Sequence, residues 1–288
     1  MTSADEARTL RGPGLVASRV TRVGSPRVGP RRVVLVHGVR TSASMWRHQV
    51  AALTTAGYRP VAVDLPGHGT RAGEPFTLAA ADEVITGAAA ADAETEVGAA
   101  REGGLAVVGL SLGGYVALHW AARTTHPPAA LVLSSCTALT GGLAHGGFVA
   151  LSRGITALPR DGARRVSDVA ARLAVGVAGA RDIAAGGVAV PAQVPTLLAL
   201  RGLDPLADLA AVLDRGIAVT FVQGEWDHFR IDERAFRRAA ARRARWVVVR
   251  RAHHLVSLHR PRAYTRALLD ALGRVDGDRA GDEPGPVP

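Results

Sequence analysis

The sequence predicts an α/β fold in which a doubly wound, mostly parallel β-sheet carries helices on both faces and a helical cap is inserted. Short, continuous apolar runs alternate along the chain with helical patterns, which is typical of parallel strands buried between two helical layers. A chain of 288 residues is long enough for one large domain of this kind with an insertion. Residues 140–212 break the alternation, because they carry helical patterns interrupted by Gly and Pro and no convincing strand.

The individual elements follow one another in the order that such a fold requires. An early antiparallel strand is expected at 15–23, and a buried strand at 33–36 leads into a helix at 46–56 that Gly57 ends. The other predicted strands are 60–65, 105–110, 130–134, 217–223 and 246–250, and the other predicted helices are 79–100, 113–123 and 261–272.

These elements divide the chain into a core, a cap and two tails. The core is predicted from residues 14–139 and 213–273, and the cap, or lid, from residues 140–212. Residues 1–13 are expected to form a flexible tail. Residues 274–288 are mildly acidic and rich in Gly and Pro, which is typical of a disordered tail.

Composition and charge narrow the classes of function. The formal charge is +10, and every one of the 35 basic residues is Arg. The densest basic cluster, residues 234–251, has few aromatic residues of the kind that stack on bases, so a solvated basic helix face is favoured over nucleic-acid binding. The single cysteine, Cys136, excludes an intramolecular disulfide framework, and the uncharged stretch 183–200 is broken by Gly and Pro. We therefore expect a cytoplasmic protein that binds neither nucleic acid nor membrane, while the oligomeric state stays open.

The strongest chemical signal is the pattern G-x-S-x-G at residues 109–113, between an apolar strand and a helical pattern. Ser111 is predicted to occupy a tight strand-to-helix turn that projects its hydroxyl into a cleft. Gly109 and Gly113 allow the neighbouring backbone to pass close by. The amide of Leu112, which opens the helix, is a candidate donor to an oxyanion.

A second backbone donor is expected from the loop that follows the first buried strand. His37-Gly38-Val39 lies there, and the Val39 N–H is the candidate partner of the Leu112 N–H in an oxyanion hole.

Taken together, these motifs resemble the α/β-hydrolase superfamily. The resemblance rests on the Ser111 elbow and on several further motifs in matching order: His37-Gly38, Trp46, Gln49, Leu53, Gly57-Tyr58 and the segment Asp64 to Gly69. It covers roughly residues 15–135 and 215–272, and it is closest to the branch that holds small esterases, lactonases, carbon–carbon bond hydrolases and cofactor-free haloperoxidases. The expected serine chemistry requires no cofactor, and the spacing of the other histidines suggests no metal site. Related epoxide hydrolases and dehalogenases carry Asp at the elbow, where this chain has Ser111.

The resemblance also implies the positions of the acid and the base. The acid follows a late strand, where Asp227 matches the family position and Glu225 is the alternative. The base lies near the C-terminus, where His253 and His254 are adjacent. In related sequences a basic-Pro pair follows the catalytic histidine by six residues; Arg260-Pro261 stands at that distance from His254 and selects it.

The predicted function is cleavage of a carboxylic ester or lactone, through an acyl-enzyme, on a small-molecule substrate with an apolar portion. Candidate substrate contacts are His37, Trp46, Phe148 and Trp226, and the cap residues Leu143, Leu151 and Leu197 are further candidates to line the pocket. A thioesterase or acyltransferase would use the same triad. A ligand-sensing protein with slow turnover on a hydrolase scaffold is a third possibility, which saturable binding with negligible turnover would favour.

Overall fold

The computed structural model describes residues 32–90 and 104–281, and six parallel strands form its central sheet. The strands are β1 (Arg32–Val36), β2 (Arg59–Val63), β3 (Leu105–Leu110), β4 (Ala130–Ser134), β5 (Ala218–Gly224) and β6 (Ala244–Val249). They lie in the order β2-β1-β3-β4-β5-β6, and all five pairings are parallel. The order reverses beside β1 and β3, so the carboxyl ends of these strands flank a crevice of the kind that holds ligands in open α/β sheets. The strand expected at 15–23 and the tail 1–13 lie outside the described residues.

The helices account for most of the remaining described chain. They are α1 (Arg47–Thr55), α2 (Leu78–Ala90), α3 (Leu112–Arg123), α4 (Leu143–Thr156), α5 (Arg160–Ala185), α6 (Val190–Ala199), α7 (Pro205–Asp214), α8 (Glu233–Ala240), α9 (Val256–His259) and α10 (Pro261–Gly281).

Two hydrophobic clusters, one on each face of the sheet, make the fold doubly wound. One cluster joins the sheet to α2, α3, α7 and α8 through buried side chains such as Ile85, Val116 and Phe236. The other joins it to α1 and α10 through Leu53, Tyr264 and their neighbours. Every residue of β1 is buried, which explains the continuous apolar run in its sequence. The predicted fold class is confirmed.

Helices α4, α5 and α6 follow β4 and lie over the carboxyl edge of the sheet, where they line the same cavity as the β3–α3 turn. α5 is broken at Gly176, whose φ of 72° and ψ of 179° are not helical.

α7 packs against α3 and α8. This helix therefore belongs to the layers beside the sheet, although most of it, residues 205–212, falls in the range 140–212 that the sequence assigns to the cap.

The C-terminal helix ends later than the sequence predicts. α10 continues through Gly281, so residues 274–281 are helical where the sequence predicts a disordered tail. The helix begins with Pro261, whose fixed φ suits the first helical position, and its apolar side chains pack on the sheet as far as Val275. Packing of Val275 in the cluster that joins the sheet to α1 and α10 accounts for the continuation of the helix beyond residue 273.

Within residues 32–90 and 104–281, no single helix has both the length and the apolar character needed to cross a membrane. One bent pair, Arg165–Ala185 with Val190–Gly202, meets those criteria only when its two helices are taken together.

Candidate active site

Ser111 occupies the turn between β3 and α3. Its φ of 53° and ψ of −114° are outside the regions that side-chain-bearing residues usually adopt, which is the strain expected of a nucleophile at such a turn. The Ser111 N–H donates to the carbonyl oxygen of Ser134 at 2.8 Å and so ties the turn to the end of β4. The hydroxyl is thereby presented at the carboxyl edge of the sheet.

Two glycines permit this turn because no side chain fits at their positions. A Cβ on Gly109 would lie 2.3 Å from the carbonyl oxygen of Gly113, and a Cβ on Gly113 would lie 2.2 Å from the carbonyl oxygen of Val36. Both neighbours are backbone atoms, which cannot move aside as the end of a side chain can. The absence of a Cβ at these two glycines therefore allows α3 to pack closely against the end of β1 and the loop that follows it.

Gly113→Ala is expected to lower the free energy of unfolding by about 3 kcal/mol, because the new methyl group overlaps the β1 backbone. The matched control is Gly87→Ala on the exposed surface of α2, where nothing lies within 4 Å of the added Cβ. That change is expected to raise stability by about 0.5–1 kcal/mol, because Ala is the better helix former. Urea unfolding of the two variants beside the wild type tests both signs, and equal effects would contradict the steric argument.

His254 links Ser111 to Asp227 through its two ring nitrogens. Its Nε2 lies 3.0 Å from the Ser111 Oγ, and its Nδ1 lies 2.9 Å from the Asp227 Oδ1. Asp227 follows β5 and His254 follows β6, so neighbouring strands bring the two loops together. The Trp226 N–H donates to the carbonyl oxygen of Ala252 at 2.8 Å, which fixes one loop against the other. The structure thus brings the three predicted residues into one hydrogen-bonded chain.

Asp227 is buried, yet its surroundings favour the ionised carboxylate. Burial alone would raise its pKa, but the neighbouring His254, the Phe229 N–H and the Ser135 hydroxyl together outweigh this effect and lower the pKa. The Phe229 N–H donates to the Asp227 Oδ1 at 2.9 Å. The Ser135 hydroxyl donates its hydrogen to the carbonyl oxygen of His254 at 2.7 Å and so holds the backbone of the base.

The two alternative residues lie outside this chain of hydrogen bonds. Glu225 is exposed, and its carboxylate accepts from the Arg251 N–H at 2.8 Å. The ring of His253 stacks on His259 with 4.7 Å between the ring centroids. The geometry therefore favours Asp227 and His254 over their neighbours.

Hydrogen bonds from buried groups fix the loop that carries Val39. His37 Nε2 accepts from the Leu65 N–H at 3.0 Å, so the ring proton is on Nδ1, which donates to the carbonyl oxygen of Gly38 at 2.8 Å. The Thr41 hydroxyl donates to the same oxygen at 2.7 Å. In a trans peptide the N–H points opposite to the carbonyl, so holding the Gly38 carbonyl also fixes the direction of the Val39 N–H. Burial is the main cause that lowers the pKa of His37 to about 3 and keeps its ring neutral.

Val39 and Leu112 lie on the wall of the cavity that Ser111 and His254 also line. Leu112 is the first residue of α3, where backbone N–H groups have no acceptor within the helix. The two amides are therefore available as a pair of donors beside the Ser111 hydroxyl.

The cavity has a volume of about 480 Å³ and extends from the Ser111 hydroxyl to the cap. Its wall is largely apolar, with contributions from Leu139, Phe148, Ala171, Ala174, Ile183, Val188, Leu197 and Leu200. Phe148 on α4 packs edge-on against Phe229, whose ring centroid is 4.6 Å from that of His254. The cap thus contacts the ring that borders the predicted base.

Of the candidate substrate contacts, Phe148 lies on the cavity wall and the other three do not. His37 and Trp46 are fully buried in packing positions away from the wall, and Trp226 is 52% exposed and packs on His253. Leu197 lines the cavity, whereas Leu143 and Leu151 are 98% and 61% exposed. A pattern of apolar residues on a helix does not say which side faces the cavity, and this is why half of the cap candidates lie on the outer surface.

Several wall residues were not predicted from the sequence. They are Arg40, Tyr115, Ser135, His145, His228 and Phe229. Ser135 directly follows the predicted strand 130–134, and Phe229 lies in the loop after the predicted strand 217–223. Their position at the carboxyl edge of the sheet is the signal that would have identified them. No comparable signal marks His145, whose ring is held by the carbonyl oxygen of Leu197 at 2.9 Å.

Across the described part of the chain, no group of three or more His, Cys, Asp or Glu side chains is placed to hold a metal ion. Cys136 is buried behind the turn, and burial raises the pKa of its thiol far above the usual range.

A parallel sheet with a strained serine at this turn and a histidine–carboxylate pair at the adjacent strand ends defines a class of hydrolase folds. The comparison with known families agrees: residues 33–267 match the model of the alpha/beta hydrolase family, and the chain belongs to this family.

Comparisons with individual proteins show short matches in sequence and extensive matches in structure. Epoxide hydrolase B of Mycobacterium tuberculosis is 57% identical over 37 residues, which are 13% of this chain and 10% of that protein. The putative protein-lysine deacylase ABHD14B of Rattus norvegicus is 37% identical over 102 residues, which are 35% of this chain and 47% of that protein. The chain therefore matches less than half the length of these curated relatives. A carboxylesterase structure from Nitrososphaera gargenis has a TM-score of 0.68 and 14% identity, with 86% of this chain and 92% of that chain covered, and it supports the fold.

Proposed function

We propose that the protein is a serine hydrolase that cleaves a carboxylic ester or lactone through an acyl-enzyme intermediate. The observation that carries this proposal is the continuous hydrogen-bonded chain from the Ser111 hydroxyl through His254 to the buried Asp227 carboxylate. A nucleophile within reach of a base that a third group orients is the general arrangement for covalent acyl transfer.

In the proposed reaction, the Ser111 Oγ attacks the carbonyl carbon while His254 Nε2 takes the hydroxyl proton. The Asp227 carboxylate accepts the Nδ1–H hydrogen bond and stabilises the imidazolium that forms. The amides of Val39 and Leu112 donate to the oxyanion. As the tetrahedral intermediate collapses, His254 returns the proton to the leaving alkoxide, and a water activated by the same base then releases the acid.

Ser111 favours cleavage of an ester over the opening of an epoxide, the reaction that the name Epoxide hydrolase B suggests. An epoxide is opened through an alkyl ester on a carboxylate, as in the Asp-bearing enzymes that the family resemblance includes, whereas a serine hydroxyl forms an acyl ester. The short identity with Epoxide hydrolase B is compatible with a shared fold. The names carboxylesterase and protein-lysine deacylase both describe acyl transfer, which fits Ser111.

A small molecule with an apolar portion is the proposed substrate, because apolar cap residues form much of the cavity wall. The basic cluster at 234–251 does not support a nucleic-acid partner, since several of its side chains have acidic partners within the protein. Arg237 pairs with Glu233 and also lies over the ring of Trp246, and Arg245 pairs with Asp270. A cytoplasmic location stays a prediction.

Labelling with a fluorophosphonate, followed by mapping of the modified peptide, tests the nucleophile directly. We expect a single modified site at Ser111, and we expect Ser111→Ala to prevent labelling. Modification elsewhere, or persistent labelling of the variant, would contradict the assignment.

A substrate panel then separates the possible acyl donors. It consists of p-nitrophenyl esters of graded chain length, lactones and acyl-thioesters, each assayed with the wild type and with Ser111→Ala. We expect Ser111-dependent turnover of esters or lactones. Preference for thioesters would instead indicate a thioesterase, and saturable binding of these compounds with negligible turnover would indicate a ligand sensor.

A further inference from the structure

Arg40 adds a positively charged residue to the wall of the cavity that the candidate oxyanion hole also lines. It directly follows Val39 in the chain and lines the same cavity as Ser111. Its φ of 65° lies in the left-handed region, where side-chain-bearing residues are uncommon. The hydrogen bonds from His37 and Thr41 to the carbonyl oxygen of Gly38 hold the loop just before it. Arg40 is thus held by the same loop that carries the proposed oxyanion donor.

This arginine has no acceptor among residues 32–90 and 104–281, since it forms neither a hydrogen bond nor an ion pair with any of them. It is nevertheless partly buried, and this burial lowers the pKa of its guanidinium. Arg230, which is also partly buried, has both carboxylate oxygens of Glu233 as partners. An arginine taken from water without such a partner is unfavourable, and partly buried arginines are therefore normally paired.

The cavity wall offers no compensating negative charge. None of the described residues that line the cavity is Asp or Glu. The other polar side chains on the wall include Ser135, His145 and His228, and the remainder is largely apolar. The described wall therefore carries the guanidinium of Arg40 without a carboxylate of the protein beside it.

We propose that Arg40 binds a carboxylate of the substrate, so that the protein acts on monoesters of dicarboxylic acids or on lactones that carry a free carboxylate. This inference rests on the proposed ester or lactone hydrolysis and names the substrate class for that site. A planar guanidinium matches a carboxylate with two parallel N–H···O hydrogen bonds, and such pairs are stronger than neutral hydrogen bonds. The apolar wall would then enclose the methylene chain between the carboxylate and the ester.

A different role for Arg40 would be direct stabilisation of the oxyanion. The Val39 and Leu112 amides already supply two donors for that purpose, and a third donor there would act on every ester to the same extent. The two roles therefore differ in one measurable quantity, the ratio of kcat/KM for an anionic and a neutral ester.

The test compares monomethyl adipate with methyl hexanoate, which has a methyl group in place of the carboxylate, by measuring methanol release. We expect the wild type to prefer monomethyl adipate by about tenfold or more in kcat/KM. Arg40→Met should lower this ratio by at least about tenfold, and Arg40→Lys should retain part of it. Arg153→Met, which removes an equal charge from an exposed position on α4 away from the cavity, should leave the ratio unchanged. Preference of the wild type for methyl hexanoate, or an equal loss on both esters in Arg40→Met, would overturn the proposal.

Protection from covalent labelling separates this proposal from the hydrolase proposal. Adipate should slow fluorophosphonate labelling of Ser111 in the wild type and in Arg153→Met, but not in Arg40→Met. Labelling of Ser111 without protection by adipate would overturn the role of Arg40 alone. If Ser111 is neither labelled nor needed for ester cleavage, the hydrolase proposal itself fails.

Discussion

Ser111→Ala and His254→Ala are each expected to lower kcat/KM for a cleavable ester by about a millionfold, and the double variant by no more than either single one. The two side chains act in one step, because the hydroxyl attacks as the imidazole 3.0 Å away takes its proton. Without His254 the Ser111 hydroxyl has no base to take its proton, and without Ser111 the imidazole has no nucleophile to activate. Their effects should therefore not add, unlike those of two independent groups.

The measurement is steady-state hydrolysis of the best substrate from the panel by the wild type, both single variants and the double variant. His126→Ala is the matched control, since His126 is exposed in the loop after α3, far along that helix from the Ser111 turn. Its activity should stay within a factor of about two of the wild type. Thermal unfolding of all variants should show that the fold is kept. Additive losses in the double variant would mean that the two residues do not form one catalytic unit.

The part of the site that the sequence predicts is the part fixed by parallel topology and by steric necessity. Ser111, Asp227 and His254 each follow a strand, and in a parallel sheet the carboxyl ends of the strands lie at one edge. The glycines around Ser111 are needed because backbone atoms occupy the space where a Cβ would lie. Residues at strand ends and glycines required by close backbone contacts can therefore be recognised in the sequence without knowledge of the tertiary packing.

The cap and its boundaries could not be predicted in the same way, because they depend on packing between distant segments. α7 resembles the cap helices in its sequence, but its apolar face packs on α3 and α8. Phe148 and Leu151 lie on the same cap helix, and only the three-dimensional arrangement shows that one faces the cavity and the other solvent. Arg40 is partly buried without an acidic partner among the described residues, and this depends on the residues that surround it in the fold. The amino-acid composition and the spacing of motifs therefore do not indicate it.

Asp227→Asn is expected to lower kcat/KM by about ten-thousandfold, because the imidazolium formed during the reaction loses the carboxylate that stabilises it and fixes its tautomer. The buried Asp227 accepts from both His254 and the Phe229 N–H, and its lowered pKa keeps it ionised at neutral pH. The substitution changes few atoms, so binding of the substrate should be affected much less than kcat.

Glu225→Gln is the matched control, because it also converts a carboxylate to an amide two residues away in the same loop. Glu225 is exposed, and an amide oxygen still accepts the hydrogen bond that the Arg251 N–H donates to its side chain. We therefore expect kcat/KM within a factor of about three of the wild type. The decisive measurement is the ratio between the two variants under identical conditions. A larger loss in Glu225→Gln would assign the acid to Glu225, and similar losses in both would mean that the negative charge of the loop as a whole, and not the contact between Asp227 and His254, supports catalysis.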